Sequence, residues 1–126
     1  MAGELNFTWA LTVDKEPPMS APIGMNVFNQ KGNISSGKYA KGTVTASHTA
    51  PVAVPLGEVA GNCGYFGFRN PSETETVNIL SASNGTVWAE LGPLDSGCLK
   101  IPAAATPYAE AAGSTDVDIE YTLWAR

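Results

Sequence analysis

The stretch that decides the fold is Val117-Asp118-Ile119-Glu120-Tyr121-Thr122-Leu123-Trp124, in which apolar and polar residues alternate. Successive side chains of an extended strand point to opposite faces, so the apolar residues share one face and the polar residues share the other. This pattern predicts a strand that is buried on one side. Residues 4–13 repeat it, with Leu5, Phe7 and Trp9 at alternate positions. We therefore expect a strand near each end of the sequence.

Between these ends, short runs of β-branched and aromatic residues are separated by turn residues. The sequence contains 13 Gly and 9 Pro. Asn84-Gly85 lies between the alternating runs 77–80 and 87–91, which predicts a hairpin. Two prolines within 50–55 predict an edge strand. Glycine and serine interrupt residues 30–41, which predicts a surface excursion. In total the pattern predicts about nine or ten short strands.

These elements favour an all-β protein, a single-domain antiparallel β-sandwich that is jelly-roll-like and spans residues 1–126. A chain of 126 residues is long enough for one domain with its own core. Charge is distributed unevenly along the chain. Residues 1–50 hold four lysines and three acids, whereas residues 51–126 hold three basic residues and nine acids. The N-terminal residues 1–50 are therefore expected to form the looser and more basic region of the domain.

Composition also excludes several classes of protein. The formal net charge is −5 and there is no basic stripe, so no nucleic-acid partner is expected. No apolar stretch approaches 18 residues, so no transmembrane helix and no membrane partner are expected. The opening Met1-Ala2-Gly3-Glu4 has neither a basic start nor an apolar run, so no signal peptide is expected. Cys63 and Cys98 lack metal-ligand spacing and are interpreted as two separate reduced thiols.

Residues that could carry catalysis are few. His48 is the single histidine, and neither a nucleophile motif nor a catalytic-cysteine signature accompanies it, which favours a solvent-facing loop histidine. Asp116, Asp118 and Glu120 share one face of the predicted terminal strand. A solvated polar face is the expected interpretation, with a Ca²⁺ site or pairing to Lys or Arg of a neighbouring strand as alternatives. We expect no enzyme activity, no cofactor and no metal.

Two tryptophans on predicted strands are candidates for binding. Trp124 falls in register with Asp118 and Glu120, opposite Tyr121, which places it on the face away from the core. Trp88 alternates with apolar neighbours, so both faces of its strand are apolar. An exposed aromatic ring is a platform for a sugar or an anchor for a protein partner. Core packing is nevertheless the more frequent role for each tryptophan taken alone.

A series of short motifs in the C-terminal region resembles a known kind of protein. The motifs are Leu56-Gly57-Glu58-Val59, Gly64 with Phe68-Arg69-Asn70, Val77-Asn78-Ile79, Leu91-Gly92-Pro93, Tyr108-Ala109-Glu110-Ala111 and Ile119-Glu120-Tyr121. Through them, residues 52–126 resemble small β-rich virion proteins of tailed bacteriophages, of the capsid cement or decoration type. The motifs contain no catalytic or metal-binding residue.

The resemblance implies a jelly-roll-like sandwich on the outer surface of the virion capsid, made in the host cytoplasm. Its expected partner is the major capsid protein of a phage head, which it would bind as a homotrimer to stabilise the shell against packaged DNA. The glycine-rich segment 17–41 is the predicted contact with an acidic shell. The predicted partner-binding residues are Met19, Met25, Phe28, Lys31, Lys38, Lys41, Trp88 and Trp124. The alternative function is a carbohydrate-binding or host-adhesion module that uses Trp88, Trp124 or Tyr65 as stacking platforms.

Overall fold

The computed structural model describes residues 38–126 completely and, before them, the backbone of residues 3–9, 12–13, 23–24 and 28–34. One 3₁₀ helix, η1 (Gly57–Val59), accompanies the strands, and the described residues contain no α-helix. The strands of the described residues are β1 (Gly3–Trp9), β2 (Thr12–Val13), β3 (Ile23–Gly24), β4 (Phe28–Ile34), β5 (Tyr39–Ala46), β6 (Val52–Ala53), β7 (Cys63–Arg69), β8 (Val77–Leu80), β9 (Val87–Leu91), β10 (Ser96–Lys100), β11 (Tyr108–Ala111) and β12 (Val117–Ala125).

Eight of these strands form two four-stranded sheets. The first sheet has the order β10-β7-β12-β5 and the second has the order β6-β11-β8-β9. Every neighbouring pair within them is antiparallel. The prediction of an all-β antiparallel sandwich is confirmed. The short β6 lies at the edge of the second sheet, as its flanking prolines predict.

The terminal strand β12 lies between β5 and β7, at the centre of the first sheet. Its alternation is reproduced in the structure, because Ile119 and Leu123 are fully buried while the polar residues between them remain accessible. Leu123 lies opposite Phe66 of β7, whose ring packs edge-to-face against Phe68 at 5.0 Å. Burying each such side chain contributes about 1.5–3 kcal/mol to stability. The alternating stretch therefore supplies the centre of the core.

The eight strands of the sandwich pair in nested order, the first with the last, the second with the second from last, and so on inward. β5 pairs with β12, β6 with β11, β7 with β10 and β8 with β9. Two further pairings, β12 with β7 and β11 with β8, join these antiparallel ribbons into the two sheets. The predicted hairpin is β8–β9. Its connection covers residues 81–86, longer than the two-residue turn that Asn84-Gly85 alone would form.

The N-terminal strands form separate small sheets. β1 and β4 pair antiparallel from Gly3 opposite Ile34 to Trp9 opposite Phe28. β2 and β3 continue in the same antiparallel sense with a register shifted by one residue. Within the described residues, neither pair is hydrogen-bonded to the sandwich sheets. We call the four strands the N-terminal ribbon.

Of two predictions for this region, the surface excursion was wrong. In the predicted strand 4–13, residues 4–9 belong to β1 and residues 12–13 form β2, while residues 10 and 11 lie outside the described residues. The predicted surface excursion 30–41 is largely strand, with β4 continuing to Ile34 and β5 beginning at Tyr39. Ladder hydrogen bonds come from the backbone, so an alternating partner strand can recruit a glycine-containing segment that has weak strand propensity of its own.

Candidate binding surface

A row of aromatic residues crosses the outer face of the first sheet. In the ladder, Tyr39 of β5 lies opposite Trp124 of β12, and Trp124 lies opposite Tyr65 of β7. Lys100 of β10 lies opposite Tyr65 and ends the row. We call Tyr39, Trp124 and Tyr65 the aromatic row. Neighbouring residues of one row have their Cβ atoms about 4.5–5.5 Å apart, so their side chains interact directly.

The rings of the row contact each other and a cation. The ring centroids of Tyr39 and Trp124 are 5.2 Å apart, with 33° between their planes. The Lys100 Nζ atom lies 5.9 Å from the centroid of the Tyr65 ring, within the range of a cation–π interaction. Tyr39 is 49% exposed, while Trp124 and Tyr65 are half-buried. Trp124 therefore lies on the outer face, as its register with Asp118 and Glu120 predicts, and is not part of the core.

The residues beside the aromatic row are small. The next row of the same face runs from Lys41 through Thr122 and Gly67 to Cys98. Gly67 has no side chain, and Thr122 and Cys98 have short ones. One long side of the aromatic row therefore stays open, with the exposed Lys41 at its end.

The backbone beneath Trp124 is held firmly. The Arg126 guanidinium donates through Nε to the Cys63 carbonyl and through Nη2 to the Ile101 carbonyl, both at 2.8 Å. The register of β12 against β7 shifts after Trp124, where Gly64 allows a close approach: a Cβ atom there would lie 3.0 Å from the Trp124 carbonyl oxygen. The backbone at Trp124 is thus held by tertiary contacts on either side of the strand end.

Trp88 lies in a different environment. The register between β8 and β9 shifts so that Trp88 has no residue opposite it, as in a β-bulge, in which the alternation of faces is interrupted. Its half-buried ring packs against the core, so core packing is confirmed for this tryptophan. A shallow groove of about 220 Å³ is lined by Trp88, Leu99, Lys100, Ile101 and Pro102. Lys100 therefore adjoins both this groove and the aromatic row.

The predicted partner-binding residues lie in different regions of the structure. Lys38 and Lys41 are exposed and lie at the start of β5, next to Tyr39. Phe28 and Lys31 are residues of β4, opposite Trp9 and Asn6 in the ribbon. Met19 and Met25 lie outside the described residues. Tyr39 and Lys100 were absent from the prediction, and Tyr39 could not be found because its segment was interpreted as a surface excursion.

The carboxylates of β12 lie on the same outer face, farther from the aromatic row. Thr45 Oγ1 donates to Asp118 Oδ1 at 2.6 Å. Glu120 lies 3.7 Å from the Arg69 guanidinium, and both side chains are more than half exposed. The face is therefore solvated, as expected, with its acids paired across the strands. In the fully described range 38–126 and the described strand residues before it, no group of three or more His, Cys, Asp and Glu side chains could hold a metal ion.

His48 is exposed but has a partner. Its Nδ1 atom lies 2.6 Å from Asp116 Oδ1, and its backbone N–H donates to the same oxygen at 3.0 Å. These two hydrogen bonds lower the pKa of the Asp116 carboxyl group below its ordinary value, and the bond from the His48 backbone N–H has the larger effect. The pair joins the end of β5 to the start of β12, which gives His48 a structural contact.

No protein-family model matches this chain, and no match is found among the curated proteins or the solved structures. Within the region of the chain that the structure describes, no helix is long and apolar enough to cross a membrane.

Proposed function

We propose that this protein is a capsid decoration protein of a tailed bacteriophage. It binds the major capsid protein on the outer surface of the head, as a homotrimer, and stabilises the shell. The observation that carries the proposal is the combination of a sandwich that contains its own core with an N-terminal ribbon whose described residues pair with neither of its sheets.

The strand order of the sandwich supports a jelly roll. A jelly roll contains eight strands arranged as two Greek keys in two sheets. The eight strands β5–β12 pair first with last, which is the pairing expected when one long antiparallel ribbon is rolled into two sheets. This architecture agrees with the expectation from the resemblance to phage virion proteins.

The N-terminal ribbon supports a role in attachment. A two-stranded sheet is at best marginally stable alone in water, and an unpaired strand edge is a template for pairing with another chain. The seven residues of β1 reach about 23 Å. The ribbon therefore gains stability by docking against a neighbouring subunit or the shell, through strand addition or burial of its apolar residues.

Charge and repetition add to this attachment. Lys31 is a residue of β4 and the exposed Lys38 directly precedes β5, so this region carries positive charge that favours an acidic shell. Three ribbons on one trimer would contact the lattice simultaneously, so that weak individual contacts combine into tight binding. The affinity then depends on assembly as well as on each interface.

Co-sedimentation of the purified protein with empty heads of the phage that encodes it tests the proposal. We expect saturable binding that weakens by about tenfold or more when Lys31 and Lys38 are both replaced by Glu, because both steering and contact charges are reversed. Lys100→Glu is the control, because it reverses the charge of a lysine that belongs to the aromatic row and not to β4 or the residues next to β5. If the unaltered protein stays in the supernatant, the capsid assignment is wrong.

The oligomeric state is measured separately by size-exclusion chromatography with light scattering. A trimer has three times the chain mass of 13.1 kDa. A mass of one chain at micromolar concentration would contradict the trimer.

A further inference from the structure

We infer that the aromatic row and the lysines beside it form a binding surface for an acidic glycan, a polysaccharide that contains uronic acids. Sugar rings would pack against Tyr39 and Trp124, and their carboxylates would pair with Lys41 and with Lys100, which lies over the Tyr65 ring. This binding goes beyond capsid attachment and does not depend on it.

The geometry of the rings suits a linear chain of sugars. Strands are about 4.8 Å apart, so the row extends roughly 10 Å from Tyr39 to Tyr65. The Tyr39 and Trp124 ring centroids are 5.2 Å apart with 33° between the planes, too close for the rings to lie side by side. The two rings therefore stack on each other, and a sugar meets the exposed surface of Tyr39, which is 49% exposed. A sugar ring has an apolar face of C–H groups that can lie on such rings, while its hydroxyl groups remain in water.

The distribution of charge favours an anionic ligand. The formal net charge of the chain is −5, yet the aromatic row and the row next to it contain lysine and no carboxylate. Lys100 and Lys41 lie at opposite ends of these two rows. The nearest acid of β12 on this face is Glu120, one row farther, where Arg69 pairs with it. A local cationic field on an acidic protein attracts anions to this place.

The size of the surface favours a glycan over a protein. A fully buried aromatic side chain removes about 150–250 Å² of surface from water. Tyr39, the most exposed of the three, is 49% exposed. The row therefore offers at most about 300 Å² of ring surface, whereas each partner of a stable protein interface buries about 800 Å². A few sugar rings fill this area and a folded partner does not.

The surface is also formed before binding. The hydrogen bonds of Arg126 fix the end of β12 at Trp124, and the ring of Tyr39 packs against it. A ligand therefore has few groups to order when it binds, which reduces the entropic cost of association.

Isothermal titration calorimetry with hexagalacturonate tests the inference, and neutral maltohexaose is the matched ligand. We expect binding of hexagalacturonate that weakens with salt and no comparable binding of maltohexaose. Trp124→Ala should weaken binding by about tenfold or more, as for a buried aromatic anchor. Lys100→Gln should weaken it by about twofold to fivefold while the fold is unaffected. Val87→Ala is the control, because Val87 is similarly exposed at 48% but lies on the second sheet.

Circular dichroism of each variant verifies the fold, and Tyr39→Ala replaces Trp124→Ala if the latter does not fold. The inference is overturned if hexagalacturonate produces no binding at millimolar concentration, if maltohexaose binds equally well, or if hexaglutamate binds as tightly. Undiminished hexagalacturonate binding by Trp124→Ala also overturns it. Head co-sedimentation by Trp124→Ala should match that of the unaltered protein, so failure of the glycan site and failure of capsid binding are separate results.

Discussion

Replacing Asn70 with Ala should destabilise the sandwich more than its position in a turn suggests. Asn70 is the fully buried polar side chain among the described residues. Its amide connects the turn after β7 to the end of β9. Asn70 Nδ2 donates to the carbonyl oxygens of Glu75 at 2.8 Å, Gly92 at 3.0 Å and Leu91 at 3.2 Å, and Oδ1 accepts from the Ser72 N–H at 3.1 Å.

The size of the effect follows from these contacts. Two N–H groups serve three carbonyls and Oδ1 accepts one further bond, so Asn70→Ala removes three to four hydrogen bonds. Each contributes about 0.5–1.5 kcal/mol net. The expected loss in the free energy of unfolding is about 3 kcal/mol. For 126 residues, an unfolding entropy of about 2.1 cal/mol/K per residue converts this loss into a Tm decrease of about 10 °C.

Asn78→Ala is the matched control. Asn78 is half-buried in β8, and its Oδ1 atom is buried without a hydrogen-bond partner. Removing that amide oxygen relieves an unpaired polar group, so we expect a change of less than about 0.5 kcal/mol, of either sign. Both variants are measured by urea unfolding followed by circular dichroism, with equal m-values as the test that the two folds are the same.

The variant Asn70→Asp adds a second test, because its stability should depend on pH. It places a carboxyl group where three carbonyl oxygens converge, so burial and repulsion raise the pKa of that carboxyl group in the folded state. A raised folded pKa means that stability is present at low pH and is lost as pH rises. Equal urea midpoints for Asn70→Ala and Asn78→Ala, or an Asn70→Asp variant as stable at pH 7 as at pH 4, would refute the reasoning.

Three further outcomes follow from single contacts. The pKa of Asp116 is lowered by its hydrogen bonds from His48, so the stability that this carboxylate contributes is present at neutral pH and lost as pH falls below about 4; Asp116→Asn should flatten that region of a urea-unfolding pH profile. Cys98 is exposed and Cys63 is buried, so Ellman's reagent should find one thiol in the native protein and two after unfolding. The native reaction should be slow at pH 7, because partial desolvation raises the pKa of Cys98 to about 11 and only the thiolate reacts. Gly64→Ala should lower stability by about 1–3 kcal/mol in thermal unfolding, because its Cβ would lie 3.0–3.2 Å from backbone atoms of residues 124–126; a Tm equal to that of the unaltered protein would contradict the close approach.

The sequence predicted the features of the fold that depend on local geometry. Period-two alternation assigned the faces of β12, because neighbouring side chains of any strand point in opposite directions. The bounds of β8 and β9 followed in the same way. The continuation of β4 to Ile34 was missed because its residues have weak strand propensity, and only pairing with β1 makes them a strand.

The candidate site could be predicted only incompletely. The outward position of Trp124 follows from its register with Asp118 and Glu120. The inward packing of Trp88 depends on the register shift against β8, which the sequence pattern does not reveal. The role of Asn70 is similar: its Asn-Pro-Ser turn is visible in the sequence, but the carbonyls of β9 that its amide binds are not.

The sequence by itself determined that the chain forms strands with one apolar face, and that Trp124 lies opposite the core. The tertiary structure decided that Tyr39, Trp124, Tyr65 and Lys100 form one row. The physical reason is that side-chain alternation is a property of one strand, whereas a row is a property of register between strands that are distant in the chain. Register is set by backbone pairing and core packing together, and these exist only once both sheets have assembled.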